Sequence, residues 1–197
     1  MRWDNLFDDL EGQLEQELGA EETDLRAEEE RLRLGRLTLR DRLLALGVGA
    51  DAAPVRVSLT DGSTFDLSPR TFGRDWISGD VIVHSSHRAQ FILPLAAITG
   101  LRLTRSQVSD SLEDAATPEN ERGLSRRLGL AFVLRDVCRR RQAVELVLDG
   151  GVIAGTIDRV GRDHLDLAVH EAGTARHESL VFHYRVVPFS RILFVRL

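Results

Sequence analysis

The apolar positions of this chain change period along its length. Trp3, Phe7, Leu10 and Leu14 recur at spacings of four, three and four, with acids on the other faces. That is the stripe of an amphipathic helix, which is not stable alone in water until the stripe is covered. Leu18, Leu25 and Leu32 continue one heptad position, but their companion positions are mostly Glu. A long two-stranded coiled coil is therefore weakly supported. Leu37, Leu39, Leu43 and Leu44 keep helical spacing up to Gly47, and Leu124, Leu128, Ala131, Leu134, Val137 and Cys138 do so over a longer stretch. After each of these helices the period drops to two. Val55, Val57 and Leu59 alternate with polar residues before Asp61-Gly62, and Val144, Leu146 and Leu148 before Asp149-Gly150-Gly151. An alternating run that meets such a turn is a hairpin signature. Further short strands are predicted at 64–67, 76–84, 90–94 and 98–103, and again at 152–159, 164–170, 179–187 and 191–197.

The two series read as copies. Asp61-Gly62 and Gly73-Arg74-Asp75 return 88 residues later as Asp149-Gly150 and Gly161-Arg162-Asp163. Leu39-Arg40-Asp41 returns as Leu134-Arg135-Asp136. Pro94, Ile98, Leu101, Arg102 and Leu103 return as Pro188, Ile192, Val195, Arg196 and Leu197. The order of matches is kept, which points to an internal duplication. About five short strands per copy bury one apolar face best by curling into a small barrel. Residues 106–122, rich in Ser, Asp, Glu, Thr, Asn and Pro118, read as a linker whose composition predicts mobility. The division is thus 1–35 acidic amphipathic helix, 36–105 first helix-plus-barrel repeat, 106–122 linker and 123–197 second repeat.

Composition sharpens this picture. With 43% hydrophobic residues over 197 positions, the chain can form a packed core. No apolar run approaches a membrane span and the start is acidic, so a non-secreted, cytoplasmic protein with no membrane association is expected. The single Cys138 cannot form an intramolecular disulfide, which fits a reducing compartment. All 26 basic residues are Arg, which reads as the mark of a GC-rich genome. The net charge of −5 is unevenly spread: residues 1–35 hold 12 acids and 4 Arg, and the remainder is mildly basic.

The second copy also resembles a known pattern. Val144-Glu145-Leu146-Val147-Leu148-Asp149-Gly150, then Gly155, then Asp163-His164-Leu165-Asp166-Leu167 is similar to the first motif of the Sm-like family, which includes the LSm and Hfq proteins. The segment from Val187-Pro188 to Ile192-Leu193-Phe194-Val195 is similar to that family's last two strands. The resemblance covers about 55 residues and reaches the first copy only through the repeat. It implies a short helix followed by five strongly bent antiparallel strands. It also implies RNA binding, with a base held at an apolar–Asn pair. The chain departs there: the Asn position is Asp166 in the second copy and Ser78 in the first, and the bend glycine Gly155 is matched by Leu67 beside Pro69. A carboxylate at that position repels phosphate, and Pro69 predicts an edge strand or a bulge.

Two residue sets are candidates for contact with a partner. Trp3, Phe7, Leu10 and Leu14 form a docking or self-association surface, in cis on the protein's own barrels or in trans on a second chain. Arg126, Arg127, Arg135, Arg139, Arg140 and Arg141 lie on or beside the second helix. They suit an acidic protein segment or nucleic-acid phosphates, or form a solvated face favoured by the helix dipole. His84 and His87 have metal-pair spacing but lack companion ligands. Asp75 and Asp163 read as carboxylates that accept N–H groups of their own turns. No phosphate loop, nucleophile elbow or HExxH motif is present, so no catalytic residue, metal or cofactor is expected. The fold class expected is α+β, mainly β: two tandem helix-plus-five-stranded Sm-like or SH3-like barrels behind an acidic helix. The function expected is a non-catalytic interaction and assembly module that forms a homo-oligomer or docks a protein partner. The alternative is an RNA-binding or RNA-chaperone protein.

Overall fold

The computed structural model describes residues 3–47, 53–83, 87–113, 124–174 and 176–197, apart from the side chains of 3–18, 20, 81–83, 87–89 and 124. The chain divides into two compact units, Met1–Thr38 and Leu39–Leu197.

The first unit holds helix α1, Trp3–Arg36. Its described surface is laced by Glu–Arg pairs at three- and four-residue spacing: Glu22–Arg26 at 3.5 Å, Glu28–Arg31 at 2.6 Å and Glu30–Arg33 at 2.7 Å. Such pairs stabilise a helix by a few tenths of a kcal/mol each. Leu25 and Leu32 are exposed.

The second unit is α+β, and all ten of its described strands join one open antiparallel sheet. They are β1 (Val55–Leu59), β2 (Thr64–Phe72), β3 (Trp76–Val83), β4 (His87–Pro94), β5 (Ile98–Arg102), β6 (Ala143–Leu148), β7 (Gly151–Val160), β8 (His164–Val169), β9 (His183–Pro188) and β10 (Ile192–Arg196). Helices α2 (Leu39–Ala45), α3 (Arg105–Asp110) and α4 (Leu130–Arg139) complete the unit. The sheet order is β5-β1-β2-β3-β4-β10-β6-β7-β8-β9, so each half is assembled in the same sequence of neighbours.

Matching registers extend this likeness. Trp76 faces Pro94 across β3–β4 as His164 faces Pro188 across β8–β9, and Leu59 faces Ile98 as Leu148 faces Ile192. Each half places a short 3-10 turn, Leu95–Ala97 or Phe189–Arg191, before its last strand. Each half also bends its long second strand at a register shift, between Pro69 and Thr71 in β2 and between Ile157 and Arg159 in β7. Pro69 therefore sits at a bulge in an interior strand, where the missing N–H does no harm.

Two barrels were expected, and the sheet departs from that picture at one place. Among the described residues β4 does not pair with β5, nor β9 with β10. Instead β4 pairs with β10, placing Val195 opposite Ile92 and Arg196 opposite Phe91. The strand that ends one half continues into the other, and the core follows the same logic. Leu43, Val57, Leu67, Phe72 and Leu93 fill one cluster, and Leu134, Leu146, Ile157, Leu165 and Val187 fill the second. Trp76 and Ile92 cross from the first half into the second cluster, and Leu193 crosses back.

The segment expected to be a linker begins with structure. Thr104 caps α3 through a reciprocal pair with Gln107, and Gln107 Nε2–H donates to the Pro54 carbonyl at 3.3 Å. Residues 114–123 of that segment lie outside the described part. The second helix predicted from residue 124 is broken in two: a 3-10 turn at Leu124–Arg127, then α4.

Candidate interaction edge

An open sheet has two edges, here β5 and β9. An edge presents unpaired backbone N–H and C=O groups, and proteins normally blunt it with charge, proline or a cover. In β9 and the residue two before it, Phe182, Tyr184 and Val186 are 71%, 55% and 64% exposed. Spaced by two, they project from one face of an extended segment. Val187 points the other way and is buried in the core. Leu180 and Val152 are also exposed, and Val152 shares with Val186 a cleft of 340 Å³ beside the Asp149-Gly150 turn. Period-two alternation in this strand is thus apolar on both faces.

Charge surrounds the apolar row. Arg176 pairs with Asp158 at 2.9 Å and with Glu178 at 3.3 Å, and the Tyr184 hydroxyl donates to Glu178 at 2.7 Å. That hydrogen bond raises the Tyr184 pKa. Asp166, which stands where the resemblance would hold a base, lies 3.7 Å from Arg159 and lines the same 420 Å³ cleft as Tyr184 and Arg185. Ser78, its counterpart, lines a 370 Å³ cleft at the β4–β10 seam, together with Arg70, Trp76, Ile92, Asp136 and Arg140.

The seam is gripped by the recurring Gly-Arg-Asp turn. The Asp75 carboxylate accepts the Leu130 N–H at the start of α4 at 2.7 Å. The Leu128 carbonyl accepts from the Arg74 backbone N–H at 2.9 Å and from Trp76 Nε1–H at 3.0 Å. Asp75 is therefore a cap on a helix distant in sequence, rather than an acceptor for its own turn. Asp163, its counterpart, accepts from the adjacent His164 ring at 2.8 Å, and its side chain is 85% exposed. That contact holds the Asp163 pKa below its ordinary value.

The arginine cluster does not converge on one open face. Arg135 donates to the Gly161 carbonyl at 3.1 Å, and its counterpart Arg40 donates to the Gly73 carbonyl at 2.8 Å. The Leu-Arg-Asp recurrence thus fastens each helix to its Gly-Arg-Asp turn. Arg139 and Arg140 both bond Asp136, and Arg141 pairs with Asp158 at 3.2 Å. Arg126 and Arg127 are exposed on the 3-10 turn. Four of the six are thus engaged within the protein.

The side chains of Trp3, Phe7, Leu10 and Leu14, and those of His84 and His87, lie outside the described residues. Among the described residues, no three His, Cys, Asp or Glu side chains gather as a metal site, and no helix is long and apolar enough to cross a membrane. Cys138 is half-buried, and desolvation raises its pKa, which keeps the thiol protonated. Comparison with protein-family models, curated proteins and solved structures finds no match.

Proposed function

We propose that this chain is a non-catalytic interaction and assembly module, built by tandem duplication of an Sm-like five-stranded unit. It acts through protein–protein contacts at its open sheet edge and through its acidic N-terminal helix. One observation carries the reading: the exposed row Phe182, Tyr184 and Val186 on an unpaired edge strand. Main-chain groups at such an edge supply affinity, and alternate side chains supply specificity. The shared strand order of the two half-sheets and their matched registers support the duplication.

The RNA-binding alternative draws on the resemblance and on exposed Arg126 and Arg127. The internal pairing of Arg135, Arg139, Arg140 and Arg141, and the carboxylate of Asp166 at the base position, favour the protein-contact reading. The two separate in fluorescence anisotropy of single-stranded RNA with the full chain at low salt. The assembly reading expects no salt-dependent binding. Binding that weakens steeply with salt, and that survives Val186→Lys, would replace it with the RNA reading.

A further inference from the structure

The seam inside the chain is a worked example of what its open edge can do. At that seam three features of the first half engage the second. Ile92 is 2% exposed in the second core, Trp76 is 5% exposed there, and Asp75 caps α4. Each has a counterpart in the second half, fixed by register: Val186, His164 and Asp163. All three counterparts face solvent. Val186 is 64% exposed, and the side chains of His164 and Asp163 are 47% and 85% exposed. On the receiving side, Leu193 of β10 is 2% exposed, whereas its counterpart Thr99 on the opposite edge β5 is exposed. The two edges of the sheet are thus the two halves of a seam that the chain forms once internally and leaves open at its ends.

We infer that β9 of one copy pairs antiparallel with β5 of a second copy, head to tail, in the register of the β4–β10 seam. This rests on the assembly reading above and names its partner. Val195 opposite Ile92 becomes Leu101 opposite Val186, and Arg196 opposite Phe91 becomes Arg102 opposite Arg185. The Leu197 N–H that donates to the Gln90 carbonyl at 2.9 Å becomes a Leu103 N–H donating to the Tyr184 carbonyl. Such a contact is heterologous, so each added copy leaves a new β9 and a new β5 at the ends. It is also weaker than the internal seam. His164 replaces Trp76 and Thr99 replaces Leu193, which lowers apolar burial, and two like charges, Arg102 and Arg185, stand opposite one another. The association is therefore reversible and depends on concentration.

The like-charge pair gives the register a signature. In the full chain, Arg185→Glu turns the repulsion into attraction and tightens self-association by about fivefold at low salt, with the gain shrinking as salt rises. A second test uses Cys138→Ser chains carrying a single new cysteine, at Leu101 in one preparation and at Val186 in the other. Mixed under mild oxidation, they are expected to form a disulfide-linked pair, since directly opposite strand residues lie within disulfide reach. Either preparation alone should not cross-link through this contact. Association with no 101–186 cross-link and no response to Arg185→Glu overturns the proposed register but leaves self-assembly standing. A chain that stays monomeric at every concentration, and that binds no RNA, overturns the second copy as partner and leaves the edge to a different protein.

Discussion

Single residues at the matched positions of the two halves perform different work, and substitution separates them. Asp75 caps α4, so Asp75→Ala is expected to lower the urea-unfolding free energy by about 1 kcal/mol. Asp163→Ala, at the exposed counterpart, should stay within about 0.5 kcal/mol of the parent. Equal losses at the two sites would contradict the capping role. Thr156 and His170 form a buried pair at 2.9 Å, with the other ring nitrogen bonded to Glu171 and Thr174. Thr156→Val leaves one ring nitrogen buried without a partner, at a cost of about 1–3 kcal/mol in the same assay. The bend is also settled by single residues. A Cβ on Gly155 would lie 2.3 Å from the Ala168 carbonyl oxygen, and one on Gly79 would lie 2.2 Å from the Ser68 carbonyl oxygen. The glycine that lets the bent strand approach its neighbour comes from β7 in one half and from β3 in the other. Leu67 at the Gly155 position is thus no defect. The sequence carried both glycines, but nothing in the local pattern says which strand faces which, so the exchange was not legible there.

Elements were more legible than their partners. The alternating runs at 55–59 and 144–148 and their Asp-Gly turns are dictated by period and turn chemistry, and both appear as hairpins. Strand 179–187 was read too early, because Glu178–Leu180 forms a 3-10 turn and pairing with β8 begins only at His183. The α4 arginines looked like a surface for a partner, yet Asp136 lies three and four residues before Arg139 and Arg140 and takes both. That spacing was visible in the sequence and is an ordinary helix pairing. The bond from Arg135 to the Gly161 carbonyl spans 26 residues and was not. Ion pairs at the element scale also set the acid response. Arg56 holds the Asp66 pKa below its ordinary value of 3.8, and Arg139 and Arg140 do the same to Asp136. A depressed folded-state value stabilises the native form above the unfolded pKa and is lost as pH falls through the folded value. The melting temperature is therefore expected to be insensitive to these pairs from pH 8 to 5 and to fall below about pH 4, more gently in Asp136→Asn. A decline centred near neutral pH would point to other groups.

At the scale of the whole molecule, the sheet matters more than either half. Two compact barrels were a fair reading of two similar strand series, since five short strands bury one face best by curling. What the series could not disclose is the β4–β10 seam, because edge pairing depends on complementarity over a hundred residues of sequence rather than on local period. Once the seam exists, the chain has one buried copy of an edge contact and one exposed copy of the same edge. Exposed apolar edges are liabilities unless covered, and the row Phe182, Tyr184 and Val186 survives on this one. The mass of the full chain over a range of concentrations, by light scattering, with the parent and Val186→Lys side by side, tests the claim that this edge is an assembly surface. The account predicts a parent mass that rises with concentration and a Val186→Lys chain that stays lighter at every concentration. Parent and variant of identical mass throughout, whether monomer or oligomer, would contradict it.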